Sequence, residues 1–227
     1  MEKVLVIAAH PDDEVLGCGA TIAKHKAKGD YVEVVIVGTG IGARDGLNEN
    51  QTRVQIEQLE TASKRANKCL GVDNLRLLGL PDNRLDGMQM LDLIKILEVE
   101  IRRVQPGCIY THHGGDVNID HRRITEAVLT CARPLPGSGI KRICSFEVCS
   151  SSEWGTNGCG YPFDPNFFSE VSMTAETKIR ALEIYGMEMR EFPHARSIEA
   201  VRAQLILRGA QCGVDRAEAF RLIRCIE

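Results

Sequence analysis

The sequence predicts an α/β fold, a mainly parallel sheet with helices on both faces. Short apolar runs rich in Val and Ile, continuous at 4–9 and interrupted only by Glu33 at 32–37, suit strands buried on both faces. Segments of helical length, about 10–20 residues, alternate with such runs, as in βαβ units. Glycine or proline closes most of them. The chain has 227 residues, enough for one full core, and no repeat or composition shift marks a second, so 1–227 reads as a single domain.

Taken in order, residues 4–9 form the first predicted strand and 17–28 a helix, with Ile22 and Ala23 inward and Gly29 as its stop. A strand at 32–37 leads into a glycine- and asparagine-rich loop at 40–50, then a helix at 52–70 ended by Gly71. A third strand at 75–80 ends at Pro81. Apolar residues at 91, 93, 94, 97, 101 and 104 predict a helix over 91–104 that stops before Pro106. Residues 108–110 and 143–148 read as strands, and 124–131 as the helix between them. The serine-, glycine- and aromatic-rich stretch 150–173 reads as a long loop over a site. Helices are predicted at 174–190 and 197–209.

Hydrophobic residues make up 44% and charged residues 26%, as in soluble globular proteins. The net charge of −3 argues against a nucleic-acid or anionic-membrane partner, since both need a basic surface. The N-terminal apolar run is too short for a signal peptide, and no later run is long enough to span a bilayer. Nine cysteines, an odd number with no Cys-x-x-Cys pair, read as reduced and mostly buried. Together these predict a cytoplasmic protein.

Two polar clusters each follow a strand and precede a helix, where ligands bind in open α/β sheets. The first is Ala9-His10-Pro11-Asp12-Asp13-Glu14. A histidine and a carboxylate are natural zinc ligands, and an adjacent carboxylate off the metal can accept a water proton. The second runs from Thr111 through His112, His113, Asp116, Asn118 and Asp120 to His121, and can add a third ligand. Three protein ligands plus an open position is a catalytic zinc pattern. Alone, Asp-Asp-Glu before a helix also reads as capping and dipole compensation. Two such clusters favour the metal.

His10 to Glu14 followed by Leu16-Gly-Cys-Gly-Ala20, with Asp120-His121 before a helix, resembles the PIG-L/LmbE-like de-N-acetylases over about the first 130 residues. The stretches Phe192-Pro-His-Ala-Arg-Ser197 and Ala217-Glu-Ala-Phe220 are similar to ones in some bacterial members. The resemblance implies a Rossmann-like fold, one zinc per chain held by His10, Asp13 and His121 (other divalent metals being possible), and Asp12 as general base. It implies hydrolysis of an N-acyl group, usually acetyl, from an amino sugar or its conjugate. Many relatives carry a histidine where this chain has Asn118. An asparagine amide can donate to an oxyanion but cannot supply a proton. The acid role then falls to Asp12 after it accepts the water proton, or to His112, His113 or His194.

Arg53 reads equally as a substrate contact or a solvated charge, and Arg44 is a weaker case. His112, His113, Asp116 and His194 are further candidate substrate contacts. His25 reads as part of a solvated helix face. Trp154, Tyr161 and Phe163 can stack on a sugar or anchor their loop. Gly38-Thr-Gly-Ile-Gly42 lacks the position of a dinucleotide fingerprint, so a flexible loop is favoured there. The partner predicted is a small N-acylated sugar, and a homo-oligomer is open. Competing readings are an amidase or deformylase on a non-sugar amide, and a sugar- or nucleotide-binding module without turnover.

Overall fold

The computed structural model of the chain describes residues 1–42, 46, 48–155 and 160–227. Arg44, Asp45 and Cys159 lie outside them. Seven strands form one sheet: β1 (Lys3–Ala8), β2 (Tyr31–Gly38), β3 (Asn74–Leu80), β4 (Cys108–His112), β5 (Arg142–Phe146), β6 (Phe167–Glu170) and β7 (Ala217–Cys225). Their order is β3-β2-β1-β4-β5-β7-β6. The first five are parallel, and β7 runs antiparallel to both its neighbours.

Six helices cover the sheet: α1 (Asp13–Ala27), α2 (Glu49–Leu70), α3 (Met90–Val104), α4 (Ile119–Cys131), α5 (Ala175–Ile184) and α6 (Ile198–Cys212). Alternation along β1 divides the core. Val4, Val6 and Ala8 pack with Ile22 of α1, Leu59 of α2 and Ile179 of α5. Leu5, Ile7 and Ala9 pack with Leu93 and Leu97 of α3 and Ile124 of α4. Each such large side chain contributes roughly 1.5–3 kcal/mol by leaving water. Among the described residues no helix is long and apolar enough to cross a membrane.

The elements predicted from sequence are present, with informative differences at their ends. α2 starts at Glu49 rather than 52, because Asn48 and Gln51 close a reciprocal capping box. α1 starts at Asp13, and its backbone breaks at Cys18. Glu218 of β7 accepts hydrogen bonds from the freed Ala20 and Thr21 amides, at 3.0 and 2.7 Å. Lys178 of α5 donates to the Leu16 carbonyl and to Glu218, both at 2.7 Å. A buried ion pair thus closes the break. Gly17 sits against the Phe146 ring, where a Cβ would collide.

Two strands escape the sequence reading. β6 has four residues and lies inside the stretch read as loop. β7 pairs with β5 through a register shift between Ile143 and Cys144, which breaks its two-residue alternation. α5 ends at Ile184, six residues before the predicted 190, so Glu188 and Arg190 lie outside it.

His25 is not on a solvated face. It is buried, with Nδ1 2.9 Å from Asp30 and Nε2 3.1 Å from the Tyr110 hydroxyl. Burial holds its pKa below the ordinary value, against the opposing effect of Asp30. The unfolded chain therefore takes up this proton first as pH falls. The stabilisation is full above about pH 6.5 and is lost below it. His25→Gln is expected to cost about 1 kcal/mol at pH 7, with the gap to wild type narrowing at pH 5. Urea unfolding at both pH values checks this, and a gap of constant size would contradict it.

Candidate metal centre

The chain leaves β1, crosses to β2 and β3, then returns to the other side of β1 as β4. The carboxyl ends of β1 and β4 therefore flank a topological switch point, where the two loops diverge and leave a crevice. His10 follows β1, Asp82 and Asn83 follow β3, and the turn to α4 follows β4. A cavity of about 240 Å³ opens there, lined among others by His10, Asp12, Asp82, Asn118, Glu188 and Arg196. A larger one, about 550 Å³, lies at the opposite edge around Gln105 and Pro106 and holds no such cluster.

His10, Asp13 and His121 present one ligand atom each to a common point, and all three are at least largely buried. Asp13 Oδ2 lies 3.3 Å from His10 Nδ1 and 3.2 Å from His121 Nε2. Ligands about 2.0–2.1 Å from a tetrahedral zinc stand roughly 3.3 Å apart. His121 Nε2 and Asp13 Oδ1 are buried and have no hydrogen-bond partner among the described residues. His10 Nδ1, Asp13 Oδ2 and His121 Nε2 thus stand at the spacing of zinc ligands, so the set fits a divalent ion.

Each histidine is held from behind. His10 Nε2 lies 3.0 Å from both Asp82 and Asp120. Asp120 is itself fixed by the Asn83 and Leu85 amides. His121 Nδ1 lies 3.1 Å from Asp116, which also accepts from the Ser151 and Ser152 hydroxyls. Carboxylates behind ligating histidines fix the ring and raise its basicity. Burial alone would lower the His121 pKa, but the Asp13 charge and the Asp116 contact push it up to about 9. Burial would raise the Asp13 carboxyl, but the charge of His121 and the bond to His10 hold it well below its usual range.

Asp12 is the residue before α1. Its φ of 101° is left-handed and strained for a non-glycine residue, and its side chain caps no amide of the helix. Burial pushes its carboxyl up, against the attraction of Arg196. Arg196 donates to Asp12 Oδ2 at 2.6 Å. Glu14 turns inward, accepting from Tyr185, Asn67 and the Asp12 amide. Burial raises its carboxyl to about 7. Asn118 caps α4, its Oδ1 accepting from the Asp120 and His121 amides, while Nδ2 donates to Asn83.

The other candidates are not among the residues that line this cavity. His112 is fully buried behind the centre, stacked on His121 at 3.9 Å between centroids, and accepts the Ala9 amide. Burial and the His121 charge keep its pKa low. His113 contacts the Tyr161 carbonyl at 2.8 Å, and Tyr161 and Phe163 pack edge-on to its ring, so both aromatics anchor their loop. Asp116 lies behind His121. Arg53 faces solvent beside Glu57. His194 is exposed and accepts the Arg196 amide. Trp154 is exposed.

Asp82, Asn83, Glu188 and Arg196 were not singled out from sequence. Asp82 had a readable cue, since it follows a strand just as His10 does. Glu188 had none and Arg196 only its place in the Phe192–Ser197 stretch, because they reach the site from turns far along the chain from Asp12.

A family model described as PIG-L, GlcNAc-PI de-N-acetylase, matches residues 5–132. The chain belongs to this family. It is 33% identical over 138 residues to an uncharacterised deacetylase of Escherichia coli K12, covering 59% of this chain and 69% of that one. It is 30% identical over 205 residues to a probable N-acetyl-alpha-D-glucosaminyl L-malate deacetylase 2 of Bacillus cereus, covering 86% and 90%. Among solved structures, the N,N'-diacetylchitobiose deacetylase of Pyrococcus horikoshii superposes with a TM-score of 0.80 at 20% identity, covering 98% and 84%. The structural match supports the mainly parallel, Rossmann-like fold, and the family model spans all three candidate ligands and the Asp12 turn but ends before Ser151, Ser152 and Arg196.

Asp116→Asn is expected to weaken metal binding about 10–100-fold. Chelator competition checks this, and unchanged affinity would reduce Asp116 to a loop anchor.

Proposed function

We propose that this chain, acting as one domain, is a zinc-dependent hydrolase that removes the N-acetyl group of an amino sugar or its conjugate. The observation that carries this reading is the convergence of His10, Asp13 and His121, with His10 and the neighbouring Asp12 lining an open cleft. Three protein ligands leave a coordination position open, as catalytic sites require. A zinc ion bound there polarises an amide carbonyl and makes water a nucleophile near neutral pH. Other divalent ions suit the same donors.

Asp12 takes one proton from the attacking water, whose oxygen bonds to the carbonyl carbon. The Asn118 amide has two N–H donors. One is bonded to Asn83, and the second serves the carbonyl oxygen as charge builds on it. Asp12 returns its proton to the nitrogen as the C–N bond breaks, giving acetate and a free amine. His112 is engaged by the Ala9 amide, His113 by the Tyr161 carbonyl and His194 by the Arg196 amide, which favours Asp12 for both transfers. The amide and carboxylate groups of Asn83, Asn118, Asp82 and Glu188 on the cleft wall suit a hydroxyl-rich ligand. The relatives named for N-acetylglucosaminyl malate and diacetylchitobiose support a sugar. Eight described cysteines are free, which suits the reducing cytoplasm.

An acetate-release screen over N-acetylated sugars and simple amides, with zinc and with chelator, tests the reading. Turnover of sugars only with metal is expected, and turnover confined to non-sugar amides would select the amidase reading. Asp12→Asn is expected to keep its metal and lose about 10²–10⁴-fold in kcat. His121→Ala is expected to bind zinc poorly. Full activity in Asp12→Asn would sink the base assignment.

A further inference from the structure

Asp12 occupies the position where an aspartate usually caps a helix, yet its side chain caps nothing. Its two oxygens are treated differently. Oδ2 receives the Arg196 guanidinium at 2.6 Å. Oδ1 is buried and has no donor among the described residues. A carboxylate on a strained turn, without a cap bond, depends on its one strong partner for orientation.

That partner is itself braced. Arg196 Nε donates to Ser150 Oγ at 2.7 Å, and Nη1 lies 3.9 Å from Glu188. Ser150 follows β5 with a φ of 66°, and Glu188 follows α5. The guanidinium therefore ties the turn after β1 to two loops from the last third of the chain. Arg190, the other arginine lining the cleft, donates instead to the Met187 and Met189 carbonyls.

We propose that Arg196 is a positioning residue for the proton acceptor: by holding Asp12 Oδ2 it leaves Oδ1 as the oxygen that meets the attacking water. This rests on the hydrolase reading above. Arg196 touches neither the ligand atoms of the metal nor, in this role, the reacting carbonyl. Its loss therefore acts on turnover rather than on metal or substrate binding.

The test compares wild type, Arg196→Ala, Arg196→Lys, Asp12→Asn and the Arg196→Ala/Asp12→Asn double variant. Acetate release from N-acetylglucosamine and its β-1,4 dimer, zinc affinity and crystal structures are measured. Arg196→Ala is expected to lose about 10²-fold in kcat, the order expected for a misplaced reacting group, with KM and zinc affinity within about twofold. Dilute guanidinium chloride is expected to restore part of the rate, and Arg196→Lys to sit between wild type and Ala. In the Asp12→Asn background the same substitution is expected to cost little, because coupled residues are not additive. An equal loss in both backgrounds, or a change confined to KM, would overturn the assignment. If wild type releases no acetate from any substrate, the hydrolase reading falls and the crystal structures still decide this one. An Asp12 carboxylate turned away in Arg196→Ala, with His10, Asp13 and His121 unmoved, supports it. An unmoved Asp12 refutes it.

Discussion

Burying three successive carboxylates is the constraint on which the site depends. Asp12, Asp13 and Glu14 are each at most 1% exposed. An unpaired buried charge costs several kcal/mol, and each of these is compensated from a different direction. Asp13 is met by His10 and His121, Asp12 by Arg196, and Glu14 by Tyr185 and Asn67. Those partners come from the turn after β1, α4, the turns before α6, the residue after α5, and α2. The sheet brings the ends of β1 and β4 together, and the carboxylates then recruit the elements around them.

Much of this was legible in the sequence, and for a physical reason. Parallel strands are buried on both faces, so their apolar runs are continuous and easy to see. The residues after them then mark the site edge, which is why the clusters at 9–14 and 111–121 stood out, while the family resemblance singled out His10, Asp12, Asp13 and His121 within them. The antiparallel strands were not legible. β6 is four residues long, and the register shift in β7 disturbs the alternation that would have marked it. Arg196 was visible only as part of a familiar stretch, because nothing local reports a partner 184 positions away.

The loop after β5 shows how one segment serves two purposes. Ser151 and Ser152 bond Asp116 behind a candidate ligand, while Ser150 braces the arginine that holds Asp12. Further along, the backbone of Tyr161 lies so close to Gly115, in the turn after β4, that a Cβ on that glycine would collide with it. Aromatic residues of this loop pack on His113 rather than standing free. The loop is therefore part of the wall that shapes the centre.

The break in α1 has a consequence for the order in which the chain matures. The amides of Ala20 and Thr21 find their acceptor in Glu218, 198 and 197 positions downstream. Contacts so distant in sequence form late, after loop closure has been overcome. On the ribosome, the helix that opens with Asp13 lacks its clasp until β7 has emerged. An early segment is thus completed by a much later one, and a chain cut short before β7 leaves the helix behind the Asp12 turn without its partner.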